Sequence, residues 1–205
     1  MDDGLTADLV RHLTATGETV ACAESLTGGL VAAAIADVPG ASAVLRGGVV
    51  AYAADLKVSL LGVPAALIER EGTVHRDVAI ALADGARARL GATWGLATTG
   101  VAGPGSAEGK PAGTVHVAVA GPSGTVAREL RLKGPRDVVR HETVRAVLRL
   151  AADRMGVVEQ SAAPVGERGG TVDLFDARTD DLGTDAGPTG GKRTEGGSHD
   201  HAATT

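Results

Sequence analysis

The chain has 205 residues, of which 43% are apolar, and this balance favours one globular domain and excludes collagen-like, coiled-coil and wholly disordered chains. The net charge of −5 comes entirely from residues 156–205, which carry four basic and nine acidic side chains, because residues 1–155 carry 16 of each. A neutral body lacks the unbalanced cations that binding to nucleic acid or to an anionic membrane needs, so we expect neither partner.

The core must be built mainly from Ala, Val and Leu, because the chain has only three aromatic side chains, Tyr52, Trp94 and Phe175. Such small residues favour closely packed helix and sheet layers over an aromatic-rich β-sandwich. Apolar periodicity and Gly or Pro breaks predict the elements of the first ninety residues. The first four are a helix from Leu5 that ends at Gly17, a strand over 19–23, a helix over 30–38 and a strand over 44–52. Three helices follow: one over 55–61, one that begins at Pro64 and ends at Gly72, and one over 78–90.

A long glycine loop interrupts the second half of the body. A predicted strand over 94–99 leads into residues 100–113, whose five glycines and two prolines are too many for a helix or strand. Loops of this length inside a domain are commonly functional. Strands over 114–120 and 125–132 flank Gly121-Pro-Ser-Gly124, which indicates an antiparallel hairpin. A helix over 136–155 closes the body.

We predict a domain over residues 1–155 and a separate acidic tail over 156–205. The tail has ten glycines and few large apolar residues outside 171–175, so it cannot bury enough surface to offset the entropy of ordering, and we expect it to be disordered. The chain starts without a basic, apolar leader pattern, and no apolar run reaches the roughly 18–20 residues of a membrane span. We therefore expect a cytoplasmic protein. Cys22 lies in an apolar run, as a buried packing residue would.

Ser25 is a candidate nucleophile. It follows a buried strand and precedes Gly28-Gly29 at the start of a helix, a position that exposes its hydroxyl among free backbone N–H groups at the carboxyl end of the strand. Such amides can stabilise an oxyanion or bind phosphate. The alternative is that Ser25 is the N-cap of that helix, since serine is a preferred cap.

Lys57 is a candidate base. It is one of four lysines against 16 arginines, and it lies just past a strand end, five residues after Tyr52, the only tyrosine. A lysine can lose its proton when burial or a neighbouring cation lowers its pKa, whereas an arginine cannot. The alternatives are a solvated surface lysine and a half-buried packing tyrosine.

Arg136 and Arg140 are candidate anion ligands, because they lie one turn apart at the start of the last predicted helix. The alternative is a solvated basic face. The loop over 100–105 resembles a phosphate cradle, but it matches neither GxGxxG followed by a helix nor GxxxxGK[ST]. His199 and His201 have a chelating spacing but no third ligand, so we expect no metal site there.

Four motifs occur in order along the body: Ala23-Glu-Ser-Leu-Thr-Gly-Gly29, Tyr52-Ala-Ala-Asp-Leu-Lys57, Gly100-Val-Ala-Gly-Pro104 and Lys110-Pro-Ala-Gly-Thr-Val115. With these motifs, residues 5–155 closely resemble the CinA C-terminal domain family, the PncC-type nicotinamide mononucleotide (NMN) deamidases. The resemblance implies an α/β fold, a three-layer α/β/α sandwich with a mixed sheet. It implies hydrolysis of the NMN carboxamide to nicotinate mononucleotide and ammonia, in pyridine-nucleotide recycling, without metal or cofactor. It also implies a homodimer or larger homo-oligomer.

The resemblance also assigns roles to residues. Ser25 is the implied nucleophile, Lys57 the base that acts directly or through Tyr52, and Arg136 a substrate ligand. We expect backbone amides near Thr27-Gly28 to hold the oxyanion, and the last-helix arginines with the amides of the 100–105 loop to hold the phosphate. These expected substrate-binding residues are Thr27, Gly28, Gly29, Gly100, Ala102, Gly103, Arg136 and Arg140. The sequence departs from the family pattern at Leu26, Ala53-Ala54 and His116.

The rival hypothesis is a nucleotide-binding or protein-interaction module without turnover, since CinA-type proteins are also associated with competence and recombination. Residues Thr171-Val-Asp-Leu-Phe175 weakly resemble a sliding-clamp-binding peptide. We prefer the interpretation that they form a hydrophobic cluster that folds back on the body, because short motifs match often by chance.

Overall fold

Five strands form one mixed sheet in the computed structural model, which describes residues 3–157. The strands are β1 (Val20–Glu24), β2 (Leu45–Val50), β3 (Trp94–Gly100), β4 (Thr114–Gly121) and β5 (Gly124–Arg131). Their spatial order is β2-β1-β3-β4-β5. β1 runs parallel to β2 and β3, whereas β4 pairs antiparallel with both β3 and β5. The predicted hairpin at 121–124 is therefore confirmed.

Helices cover both faces of this sheet. They are α1 (Asp3–Thr16), α2 (Leu30–Ala36), α3 (Ala54–Leu61), α4 (Ala65–Glu71), α5 (Arg76–Arg89) and α6 (Arg136–Met155), and a short 3₁₀ helix spans Ala41–Ala43. One core cluster packs α1, α2 and α6 against the first face, and a second packs α3 and α5 against the other. The predicted three-layer α/β/α sandwich with a mixed sheet is confirmed.

The alternation of side chains in β1 explains how one short strand serves two cores. Val20 and Cys22 belong to the first cluster, whereas Ala21 and Ala23 belong to the second, because successive side chains of a strand point to opposite faces. All five residues of β1 are buried. Burial raises the pKa of the Cys22 thiol, and the charge of Glu24 adds to the effect, so Cys22 is a packing residue, as expected.

Two predicted boundaries differ from the structure. The second strand was expected to run to Tyr52 but ends at Val50; Ala51 still donates its amide to the Glu24 carbonyl oxygen, at 2.9 Å, and the chain then turns into α3. Pro64 is the N-cap of α4 rather than its first residue, with an extended ψ of 125°. The first difference matters for function, because it places the carbonyl groups of residues 51 and 52 beside the start of α3.

Two further expectations concern the tail and membrane-spanning helices. The tail beyond Val157, with the segment 171–175, His199 and His201, lies outside the described residues. Among the helices within residues 3–157, none combines the length and apolar character required to cross a bilayer.

Gly95 permits a close contact between α5 and β3. A Cβ at this position would lie 2.1 Å from the Ala83 carbonyl oxygen. We expect Gly95→Ala to lower the free energy of unfolding by about 1–3 kcal/mol or more, because the added methyl must force α5 away from β3. Urea unfolding measures the effect. Gly4→Ala is the matched control, since among the described residues no atom outside its chain neighbours and its own helix backbone lies within 4 Å of its Cβ position; equal losses in both variants would contradict the close-contact argument.

Candidate active site

The candidate site lies where the three parallel strands end. Ser25 follows β1, Tyr52 lies two residues after β2, and the glycine loop follows β3. The strand order places β2 and β3 on opposite sides of β1, and ligands of open α/β sheets bind where connections diverge in this way. A cavity of about 370 Å³ opens there. Its wall contains Ser25, Leu26, Tyr52, Thr73, Val74, Arg136 and loop residues 100–103 and 105–108.

The structure brings Ser25 and Lys57 together. Lys57 Nζ lies 3.2 Å from Ser25 Oγ, although 32 positions separate the two residues in sequence. The lysine side chain is only 1% exposed, which rules out the alternative of a solvated surface lysine. Its Nζ also donates to two backbone carbonyl oxygens, of Ala51 at 2.6 Å and of Tyr52 at 3.0 Å.

Burial is the largest influence on the Lys57 amine and lowers its pKa from the ordinary value, while the charges of Glu108 and Asp55 partly oppose the shift. A buried ammonium loses the hydration that stabilises its charge. A larger fraction of Lys57 is therefore neutral at a given pH than of a surface lysine. Neutral amine is the form that can accept a proton from Ser25.

The turn that carries Ser25 is tied firmly to β3. The Ser25 amide donates to the Thr98 carbonyl oxygen at 3.1 Å, and the buried hydroxyl groups of Thr27 and Thr98 are 2.7 Å apart. Gly28 and Gly29 have φ values of 60° and 100°, a left-handed conformation that favours glycine. The N-cap of α2 is Gly29, so the alternative that Ser25 caps this helix is wrong.

Glu24 is a site residue that the sequence analysis missed. Its buried carboxylate accepts hydrogen bonds from the amides of Gly29, Val31 and Ala32, at 2.9, 3.1 and 2.9 Å. The N-terminus of α2 is thus satisfied by the protein itself. The only available signal was an acidic residue at the end of an otherwise apolar strand, just before a helix start.

The amides of the Ser25 turn divide into bonded and free groups. Gly28 donates to the Ser25 carbonyl oxygen at 3.1 Å, and Gly29 donates to Glu24, so both predicted glycine amides already have partners. Within residues 3–157, the amides of Leu26 and Thr27 have no acceptor. Both N–H groups follow Ser25 in sequence. Leu26 lies in the cavity wall, so its amide is the one placed to meet a substrate oxygen, whereas Thr27, an expected substrate ligand, is fully buried and is not part of that wall.

Tyr52 and Arg136 meet at the rim of the cavity. Arg136 Nη2 donates to the Tyr52 hydroxyl at 2.8 Å, and its Nη1 donates to the Gly103 carbonyl oxygen at 2.9 Å. Tyr52 is 57% exposed, so it is not a half-buried packing residue. Lys57 contacts the backbone carbonyl of Tyr52, and the Tyr52 hydroxyl bonds instead to Arg136, which leaves Lys57 to reach Ser25 directly.

Arg140, one turn further along α6, contacts different groups from Arg136. Its Nε donates to the Leu26 carbonyl oxygen at 3.0 Å and its Nη2 to the Thr27 carbonyl oxygen at 2.7 Å. The i, i+4 spacing correctly places both arginines on the same side of the helix. It does not bring them onto one ligand, because Arg140 contacts the turn behind the cavity wall.

The glycine loop contributes backbone groups to the cavity. In the described part of the chain, the amides of Ala102, Gly103, Gly105 and Ser106 have no acceptor. The amide of Val101, by contrast, donates to the Thr114 carbonyl oxygen at 2.8 Å. Free amides on adjacent residues suit an anionic group.

Glu108, also missed from the sequence, fastens this loop over the site. Its carboxylate accepts from the Thr73 amide at 2.7 Å, the Thr73 hydroxyl at 2.6 Å and the Val74 amide at 3.2 Å. Partial burial raises the pKa of Glu108, but these hydrogen bonds and the charge of Lys110 lower it more, so the carboxylate stays ionised. Glu108 is the one acidic residue in the loop, which was the signal available.

A family model described as the CinA C-terminal domain matches residues 2–155. A CinA-like protein of Frankia casuarinae is 52% identical over 149 residues, which cover 73% of this chain and 34% of the relative. A CinA-like protein of Anaeromyxobacter dehalogenans is 54% identical over 143 residues, covering 69% and 35%. The chain therefore spans about a third of the length of the curated relatives it matches.

Solved structures share the fold. The crystal structure of the competence/damage inducible protein CihA from Agrobacterium tumefaciens aligns with a TM-score of 0.72 and 36% identity, covering 75% of this chain and 94% of that one. A competence-damaged protein (CinA) superfamily structure from Escherichia coli aligns with a TM-score of 0.71 and 30% identity, covering 73% and 88%.

Proposed function

Since the chain belongs to the CinA C-terminal domain family, we propose that it hydrolyses the carboxamide of NMN to nicotinate mononucleotide and ammonia. The observation that carries the proposal is the buried Lys57 amine 3.2 Å from the Ser25 hydroxyl, at the wall of an open cavity. A serine is a weak nucleophile until a neighbouring base takes its proton. An acyl-transfer reaction such as amide hydrolysis is the chemistry that this pair supports.

The hydrogen bonds of Lys57 favour its role as a base. A neutral amine has two N–H groups and one lone pair, and the carbonyl oxygens of Ala51 and Tyr52 can accept from both N–H groups. The lone pair is then directed at the remaining neighbour, the Ser25 hydroxyl. The same carbonyls also stabilise the ammonium ion that forms when the proton is transferred.

The reaction proceeds in two stages. Ser25 Oγ bonds to the carboxamide carbon while Lys57 takes the hydroxyl proton, and the carbonyl oxygen becomes an oxyanion that the Leu26 amide, in the cavity wall, can hold. The C–N bond then breaks as Lys57 returns the proton to the leaving nitrogen, and ammonia departs. A water attacks the acyl-serine, Lys57 takes its proton, and cleavage of the ester bond returns that proton to Ser25.

Arg136 and the free amides of the glycine loop are suited to the substrate phosphate. Arg136 already bridges two groups at the rim, Tyr52 and Gly103, so it is held in place before a substrate arrives. Guanidinium groups bind phosphate with two parallel hydrogen bonds. The amides of Ala102 and Gly103 lie in the same wall.

Ammonia release from NMN by the purified chain, with nicotinate mononucleotide identified as co-product by mass, tests this function. Nicotinamide riboside and nicotinamide serve as comparison substrates that carry the same carboxamide without the phosphate. The proposal requires both products in equal amounts. Binding of NMN without any ammonia would instead favour the nucleotide-binding module, and deletion of residues 156–205 would then show whether a partner depends on the tail.

We expect Arg136→Met to raise KM for NMN by about tenfold to 100-fold, because the variant loses a charge-assisted hydrogen bond to the phosphate. The KM for nicotinamide riboside should stay nearly unchanged. Steady-state kinetics with both substrates measure the two values. Arg128→Met, which removes an exposed arginine paired with Asp153, is the control. Equal losses on the two substrates would contradict a phosphate-binding role.

A further inference from the structure

The guanidinium of Arg140 binds the turn that carries the nucleophile, not the cavity. It donates to two successive carbonyl oxygens, of Leu26 at 3.0 Å and of Thr27 at 2.7 Å. The cavity wall includes Arg136 but not Arg140. Arg140 is partly buried, and a planar guanidinium that meets two carbonyls is held more rigidly than a single charged amine would be.

These contacts fix the orientation of the peptide groups after Ser25. The carbonyl and the N–H of a planar trans peptide point in opposite directions, so a bound Leu26 carbonyl also fixes the Thr27 N–H. The Ser25 carbonyl is held in turn by the Gly28 amide, at 3.1 Å, which fixes the Leu26 N–H. The Thr27 carbonyl that Arg140 binds belongs to the same peptide group as this Gly28 N–H, so the orientation of the Leu26 N–H depends on Arg140 through these contacts.

We propose that Arg140 is a positioning residue that keeps the Leu26 amide directed at the oxyanion and does not bind the substrate phosphate. The inference rests on the proposed amidohydrolase function. Loss of one oxyanion-hole donor typically lowers kcat by about 10²–10³-fold. Removal of the group that only orients such donors should have a smaller effect of the same kind.

Steady-state kinetics of Arg140→Met with NMN and with nicotinamide riboside separate positioning from phosphate binding. Positioning predicts that kcat falls by about tenfold to 100-fold on both substrates, while KM for NMN changes by less than about threefold. Arg145→Met, on the exposed side of the same helix and paired with Glu142, should match the wild type. A raised KM for NMN with an unaffected riboside reaction would overturn the proposal, and so would an unchanged kcat.

Two further variants guard against a merely structural effect. If Arg140→Met does not fold, Arg140→Lys keeps one cation beside the turn but loses the planar fork of donors that meets the Leu26 and Thr27 carbonyls together, and its kcat should still fall on both substrates. In Arg140→Ala, added guanidinium ion should restore part of kcat, whereas methylammonium should not. The positioning role would be contradicted if the loss of kcat in these variants merely paralleled their loss of stability, measured as the unfolding midpoint, and if added guanidinium ion restored no activity.

Labelling of Ser25 by phenylmethylsulfonyl fluoride tests the inference without NMN. The Ser25 oxygen bonds to sulfur, the S–F bond breaks, fluoride leaves and Lys57 takes the proton; intact mass reports the rate. Arg140→Met should be labelled about tenfold more slowly than the wild type, and equal rates would overturn the inference. A wild type that is labelled but leaves NMN intact would refute only the proposed substrate. One that does neither would refute both proposals.

Discussion

Ser25→Ala should lower kcat for ammonia release from NMN by at least about 10²-fold, because the variant has no oxygen to bond to the carboxamide carbon. The fold should be retained. Among residues 3–157, the Ser25 side chain has a single hydrogen-bond partner, Lys57, whereas the position of the turn depends on the backbone bond from Ser25 to Thr98 and on the hydroxyls of Thr27 and Thr98. Ammonia assays and circular dichroism on the same samples measure both expectations.

Ser59→Ala is the matched control for this variant. Ser59 lies on α3, the helix that carries Lys57, and its hydroxyl donates only to the Asp55 carbonyl oxygen at an exposed position. It should release ammonia at the wild-type rate. Undiminished activity in Ser25→Ala would show that another nucleophile, or water directly, attacks the carboxamide. An acyl adduct that is seen by intact mass in the wild type should be missing from the alanine variant.

Sequence patterns predicted most of the fold because local signals agree with it. Glycines with positive φ end α1, α3 and α4, at Gly17, Gly62 and Gly72, and Ala and Val runs form the buried strands. The end of β2 was the exception. Residues up to Tyr52 suit a strand by composition, but hydrogen bonds to the Lys57 amine draw the carbonyls of Ala51 and Tyr52 out of the sheet. No local pattern encodes a partner that comes from the following helix.

Sequence patterns identified most residues of the candidate site but not the groups that each of them contacts. Ser25 and Lys57 could be expected together, since β1 and β2 are neighbouring parallel strands whose ends meet at one edge. The hydrogen-bond partners of Arg140 could not be predicted, because its spacing from Arg136 determines the helix face but not which groups a long side chain can reach. The role of Glu24 could not be predicted either, because its carboxylate accepts from amides at the start of α2, five to eight residues later in the chain.

Lys57→Met should also lower kcat/KM by at least about 10²-fold, because in the described part of the chain Lys57 is the one base that bonds to the Ser25 hydroxyl, and general-base catalysis is lost. Lys57→Arg should be equally inactive, since a guanidinium cannot be deprotonated at any pH that the protein tolerates. Lys133→Met, which alters an exposed lysine, is the control. Substantial activity in the arginine variant would mean that residue 57 supplies charge and not proton transfer.

The pH dependence of Lys57 gives a second, independent test. Burial lowers the pKa of Lys57 in the folded chain, so the unfolded chain binds more protons between that lowered pKa and the ordinary lysine pKa of about 10.4. The free energy of unfolding contributed by Lys57 therefore rises with pH across this window and is constant below it. Lys57→Met should lack that rise.

The wild-type kcat/KM should increase with pH through the lowered pKa, as neutral amine forms, and the residual rate of the methionine variant should not. Agreement between the midpoint of the rate profile and the pH at which the stability rise begins would identify the titrating base as Lys57, whereas a rate profile that persists in Lys57→Met would assign the base elsewhere.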